Sequence, residues 1–300
     1  MRALVTGGTG FIGSNLVQRL LEEGHDVIIT GEDVPQRLPG FKGKCLHPSF
    51  VGIDFDAIGH VDVLFHQAAI NDTQFLDRDE IFRANVASSR ALFDYVLRQG
   101  CRRIVYASST AIYGNSPAPY RESETPLDPL NPYAESKIAL EALAWELAAS
   151  HRDLVIVGLR YCNVYGPGES HKGKRSTMIW QLAQQMKAGN PRIFKWGEQK
   201  RDYIYVADVV QANLLAAQAS ESCVVNCGSG TATTFTRLIE ILNGVLATQR
   251  TPEFFDNPYL GRYQDHTECD MSLAEAKIAF VPRFSIEEGI QDYAQNGLLK

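Results

Sequence analysis

Residues 6–13 read TGGTGFIG and join a short apolar run, RALVT, to a stretch with helical spacing, FIGSNLVQRLLEEG. Gly7, Gly10 and Gly13 fall in the turn. Glycine lets a backbone turn tightly and approach a bound group, and the N-terminus of the following helix offers unpaired N–H groups to an anion. A strand, a glycine turn and a helix in the first such unit of the chain predict a pyrophosphate-binding turn of a dinucleotide site. The spacing is looser than G-x-G-x-x-G, and a glycine turn also serves plain strand–helix packing. The rest of the chain must therefore carry part of the argument.

The first helix ends at Gly24, a natural residue just beyond a helix C-cap. The apolar runs DVIIT, DVLFHQAA, RRIVYASS and DLVIVGLRY then alternate with the helical stretches EIFRANVASSRALFDYVLRQG and PYAESKIALEALAWELAAS. Such alternation implies an α/β fold, a doubly wound parallel sheet of the Rossmann kind. Helix TMIWQLAQQMKAG, strand RIFKW and the loop-rich tail suggest a smaller, interleaved C-terminal substrate domain. The expected division is a dinucleotide-binding domain over 1–162, rejoined by about 202–228, and a substrate domain from 163–201 and 229–300. In that reading YIYVADVVQANLLAAQA and CVVNCGS return to the main sheet.

A formal net charge of −6 gives no global basic field for a nucleic-acid backbone. No apolar run approaches a membrane span, and MRALVTGG enters a strand without the features of a signal peptide. A cytoplasmic protein is expected. None of the six cysteines forms a C-x-x-C pair, so they read as small buried hydrophobes in a reducing compartment, and no metal is expected.

The second strand should end in an acid for the adenosine ribose hydroxyls. VIITGED places Gly31 there, followed by Glu32 and Asp33. Either acid would favour NAD. Gly31 would also leave room for a 2′-phosphate, with Arg37, Lys42 or Lys44 as partners, which would favour NADP. Both remain open, with the two acids tipping the reading towards NAD.

Asn131 and Pro132 suit the N-cap and first position of a helix. Tyr133 and Lys137 then lie four apart and share one face. A tyrosine with a reference pKa of about 10 needs help to act as a base, and a neighbouring lysine cation together with an oxidised nicotinamide would favour the phenolate. Ser108 and Ser109 stand at the end of the preceding strand, where doubly wound sheets hold their ligands. A hydroxyl there can bond a reacting sugar oxygen.

TGGTGFIG, FHQAA, YASSTAIYG, YAESK, LRYCNVYGP and RDYIYVADV together resemble the extended short-chain dehydrogenases/reductases of the nucleotide-sugar epimerase type. The resemblance implies a catalytic set of Ser109, Tyr133 and Lys137. It puts Phe11 and Ile12 at the cofactor pyrophosphate, and Ala68, Ala69, Asn85 and Val164 beside the cofactor. It assigns Asn163 and Arg201 to the substrate diphosphate, and makes Asp208 a structural helix-capping acid. Related dehydratases carry an Asp-Glu pair where Thr110 and Ala111 stand here, and related decarboxylases a glutamate at Ala111. Without those proton carriers, epimerisation or plain oxidoreduction remains.

NVYGPGESHKG and GRYQDHTECDMS are more similar to ADP-glycero-manno-heptose 6-epimerases than to UDP-hexose 4-epimerases. That likeness implies Lys172 as a second active-site residue and Tyr263 as a substrate contact. Lys174, Gln181 and Gly31 depart from the heptose pattern, where a serine, a histidine and an acid are usual. The readings carried forward are a nucleotide-linked heptose 6-epimerase, a UDP-hexose 4-epimerase, and a non-catalytic NAD(P)-sensing or scaffold protein. The expected partners are a nucleotide-diphosphate sugar and further copies of the chain, as a homodimer or higher homo-oligomer.

Overall fold

The computed structural model describes residues 1–32, 34–46, 51–258, 264–295 and 299. Strands β1 (Arg2–Thr6), β2 (Asp26–Ile29), β3 (Lys44–Cys45), β4 (Val63–His66), β5 (Arg103–Ser109) and β6 (Val155–Tyr161) build one sheet. Strands β7 (Asn163–Tyr165), β8 (Arg192–Phe194) and β9 (Lys200–Tyr205) leave it, β10 (Cys223–Cys227) returns, and β11 (Ala232–Thr234) and β12 (Glu253–Phe255) leave again. The helices are α1 (Phe11–Glu22), α2 (Val34–Arg37), α3 (Arg78–Phe82), α4 (Ser88–Arg98), α5 (Pro132–Ser150), α6 (Met178–Ala188), α7 (Val206–Ala216), α8 (Phe235–Leu246), α9 (Ser272–Ile278) and α10 (Ile286–Gln295).

The main sheet runs β10-β6-β5-β4-β1-β2-β3 with every neighbour parallel. Both faces are covered, because successive strand residues point to opposite sides. Ala3, Val5, Val105 and Val157 feed one core, while Leu4, Ile104 and Ile156 feed the other. The winding reverses between β1 and β4, so a crevice opens beyond the carboxyl ends of the strands, at Thr6, His66 and Ser109.

Local chemistry sets the helix ends that matter for this crevice. Gly24 adopts φ +77° beyond α1, its N–H bonding the Leu21 carbonyl at 3.0 Å and the His25 N–H the Leu20 carbonyl at 3.0 Å. Asn131 caps α5 by accepting the Ala134 N–H at 3.0 Å, with Pro132 in the first turn. The stretch read as one helix over 80–100 is α3 and α4 joined by a π-helical turn, Arg83–Ala87.

One strand differs from expectation. β9 does not return to the main sheet; it pairs in parallel with β7 and antiparallel with β11. The outer edge of β6 is already taken by β10, so β9 finds its partners in the smaller layer. α7 and β10 do come back, with α7 packed on α1.

Candidate active site

The glycine turn floors a cavity of about 720 Å³. The Gly10 N–H bonds the Gly7 carbonyl at 2.8 Å, and a Cβ built on Gly13 would stand 2.0 Å from that same oxygen. Only glycine fits there. No side chain caps the N-terminus of α1, which leaves its first turn open to an anion. Gly7, Gly10, Phe11, Ile12 and Gly13 line this cavity, with Ala68 and Ala69 also on its wall. These features fit a dinucleotide.

Gly31 has a reason the sequence did not reveal. A Cβ there would lie 2.1 Å from Thr9 Oγ1, the atom that accepts the Glu32 N–H at 3.0 Å. Thr9 thus occupies the place of an acid at residue 31 and pins the next one. Glu32 lines the cavity with Arg37, while Asp33 lies outside the described residues. Asn85, expected at the cofactor, stands one step behind the wall. It is buried in the π turn, accepts the Ile70 N–H at 2.8 Å, and donates to the Ile70 carbonyl at 2.9 Å and Ser136 at 3.0 Å.

An adjoining cavity of about 540 Å³ is lined by Ser109, Tyr133 and Lys137. The Ser109 hydroxyl accepts the Ala111 N–H at 3.1 Å and hydrogen-bonds the Tyr133 phenol, which opposes the upward push of burial on that phenol. Lys137 is buried, donates to the Ala107 carbonyl at 2.8 Å, and has its Nζ 5.6 Å from the Tyr133 ring centroid. Burial brings its pKa down to about 8, against the opposing pull of Glu141.

Ser108 lines the same cavity. Its hydroxyl donates to Glu141 Oε1 at 2.5 Å. The alternation of β5 directs it away from Ser109. Glu141 also takes two bonds from Arg160, at 2.9 and 2.7 Å, forming a buried ion pair between α5 and β6. Asn163, Val164 and Arg201 line the second cavity. Asn163 Nδ2 donates to the Asp202 carbonyl at 3.2 Å, and the Arg201 guanidinium lies 5.9 Å from the Phe235 ring centroid. Tyr263 lies outside the described residues.

Lys172 sits in a turn between Gly168 (φ +95°) and Gly173 (φ +54°), both in backbone territory that favours glycine. It lines both cavities, with its Nζ 5.5 Å from the Phe11 ring centroid. Burial lowers its pKa and the nearby Glu169 opposes that. Gln67 also lines both cavities and was missed as an individual residue. It accepts from the Tyr161 hydroxyl at 2.9 Å and donates to Asn213 at 2.9 Å. Its position just past the end of β4, at the winding reversal, was the available signal.

Two other polar groups are structural. Asp208 accepts the N–H groups of Arg283 at 3.1 Å and Phe284 at 3.0 Å, anchoring the segment before α10 rather than capping its own helix. Cys162, Asp202 and Cys269 bring two thiols and a carboxylate within 4.8 Å. The carboxylate already accepts from Ser229, Gly230 and the Cys269 N–H, and burial pushes both thiols up, Cys269 to about 11. That chemistry favours a hydrogen-bonded knot over a cation site.

The NAD dependent epimerase/dehydratase family matches residues 3–228. The chain is 31% identical to an ADP-L-glycero-D-manno-heptose-6-epimerase from Brachyspira hyodysenteriae, covering 97% of this chain and 96% of that protein. The solved structure of the enzyme of that name from Helicobacter pylori is similar with a TM-score of 0.88 and 32% identity, over 98% of this chain and 95% of that one. A UDP-N-acetylglucosamine 4-epimerase from Methanobrevibacter ruminantium, solved with UDP-N-acetylmuramic acid, gives a TM-score of 0.90 and 28% identity, over 98% and 97%.

Proposed function

The chain belongs to the NAD dependent epimerase/dehydratase family, and from that premise we propose that it inverts a side-chain carbon of a nucleotide-linked heptose through a transient ketone. The observation that carries the reading is that Tyr133, on α5, and Lys172, on a separate glycine-flanked turn, both face one cavity beside the glycine-lined one.

NAD, held by the glycine turn and the open N-terminus of α1, would supply the hydride acceptor and donor that side chains lack. Ser109 holds the reacting oxygen and Tyr133 takes its proton as the ketone forms. Lys137, anchored to Ala107, keeps a titratable amine beside the phenol. Inversion requires hydride to return to the opposite face. Rotation of a short side arm presents that face and moves the carbonyl oxygen away from Tyr133, so a second proton donor is needed. Lys172, its pKa lowered by burial, is suited to donate there. Arg201 and Asn163 hold the diphosphate side.

Likeness to the Methanobrevibacter enzyme supports a second reading, inversion at C4 of a UDP-hexose. There the keto sugar swings over, Tyr133 serves both faces, and Lys172 only grips phosphate. Single-turnover kinetics separate the two. Tyr133→Phe should lose about two to four orders of magnitude in turnover while keeping fold and cofactor. Lys172→Met should bind the sugar nucleotide nearly as the parent does yet fail at one half-reaction. Weaker binding with an unchanged chemical step would support the phosphate role instead.

A further inference from the structure

The turn that carries Lys172 is closed by a single buried carboxylate. Glu169 has no solvent-exposed surface. Its Oε1 accepts the Gly166 N–H at 3.2 Å and the Thr177 hydroxyl at 3.1 Å, and its Oε2 accepts the Thr177 N–H at 2.8 Å. Its backbone carbonyl takes the Ser176 hydroxyl at 2.8 Å. One residue therefore joins the strand end at Gly166 to the start of α6. On the outer side, Asn15 of α1 donates to the Pro167 carbonyl at 2.8 Å, resting the turn on the helix of the glycine-lined cavity.

We propose that Glu169 is a positioning residue: its carboxylate ties together both ends of the 166–177 turn and so holds the Lys172 amine where the two cavities meet. The proposal rests on the reading of Lys172 as the second proton donor. A buried carboxylate is costly unless its lone pairs are satisfied, and here three donors satisfy it. Burial in this position would gain nothing from a turn free to wander. The ionisable groups facing Glu169 are Lys172 on the turn, Tyr165 on β7 and Tyr293 on α10; those facing Lys172 are Glu169, Arg175 and His171. Among them Glu169 alone favours the protonated amine.

The test is Glu169→Gln beside Lys172→Met, with ADP-L-glycero-D-manno-heptose as the probe substrate. The glutamine amide presents donors to donors at one end of the clamp. The expected result is about 10²-fold lower kcat, as for a reacting group displaced by about an ångström, with KM little changed. Amide hydrogen exchange should quicken across 170–176 and nowhere else. The alkaline limb of kcat against pH should move to lower pH, because the anion that supports a protonated Lys172 is gone; a purely structural loss would not move it. Should Glu169→Gln aggregate, Thr177→Val removes one donor to the carboxylate and should lower kcat by about threefold to tenfold with the same local exchange change. Parent-like kcat, exchange and pH limb in these variants, with Lys172→Met inactive, overturn the clamp and leave the Lys172 reading standing. Full turnover in Lys172→Met removes that reading and the proposal with it.

Discussion

The Tyr133 phenol is pushed up by burial, and the Lys137 amine falls to about 8 for the same reason. Burial moves both groups towards their neutral forms, yet an amine with a pKa of about 8 stays mainly cationic at pH 7. Glu32 is the adjacent test of cofactor recognition. Thr9 fixes its backbone, and its carboxylate is the group suited to the adenosine ribose. Glu32→Ala should weaken NAD by about tenfold, the value of a charge-assisted hydrogen bond, and leave NADP less affected; titration with each dinucleotide checks this. His66 gives a stability test. It is fully buried between Thr6, at 2.8 Å, and Ser89, at 2.8 Å, and its pKa falls to about 3 through desolvation and, less, Lys137. Between that value and the ordinary 6.5, the unfolded chain binds a proton that the native one refuses. Stability from this group is complete above pH 6.5 and falls by about 1.4 kcal/mol per pH unit below it. His66→Gln should flatten that slope in urea titrations at pH 7 and pH 5; an unchanged slope would clear His66 of the effect.

At the level of elements, α5 was legible to the residue: Asn131 caps it, Pro132 stands in its first turn, and Tyr133 and Lys137 line one cavity. The glycine turn was equally readable, since close backbone contact leaves no other choice at Gly13. What escaped were long-range partners. Nothing local to Ser108 reveals that Glu141 waits on α5, or that Arg160 on β6 completes the pair. Nothing near Gly31 reveals Thr9, and the order of β9 depends on an edge that β10 occupies much later in the chain. The Glu141–Arg160 pair carries its own prediction. Glu141→Gln removes the ion-pair partner of the buried Arg160 guanidinium and should cost about 3–5 kcal/mol, while replacing both by apolar residues should recover much of the loss. Chemical denaturation of the two variants decides it.

Across the whole molecule, the parallel sheet and its winding reversal bring residues from the turns after β1 and β4, from β5 and α5, and from the Lys172 turn to one crevice. Strand–helix alternation was enough to foresee that crevice. The smaller layer was harder, because its strands are short and Tyr263, expected from the resemblance to contact substrate, lies outside the described residues. No helix among the described residues is long and apolar enough to cross a membrane. The central claim is that this crevice epimerises a nucleotide-linked heptose without net redox change. It is tested most directly by incubating the purified protein with an ADP-linked heptose, UDP-glucose, UDP-N-acetylglucosamine and a GDP-linked hexose in parallel, and following each sugar by proton NMR with absorbance at the NADH band. The account predicts inversion at the side-chain carbon of the heptose with no stoichiometric NADH. Inversion at C4 of a UDP-hexose, steady NADH accumulation, or no turnover of any sugar despite bound cofactor would contradict it.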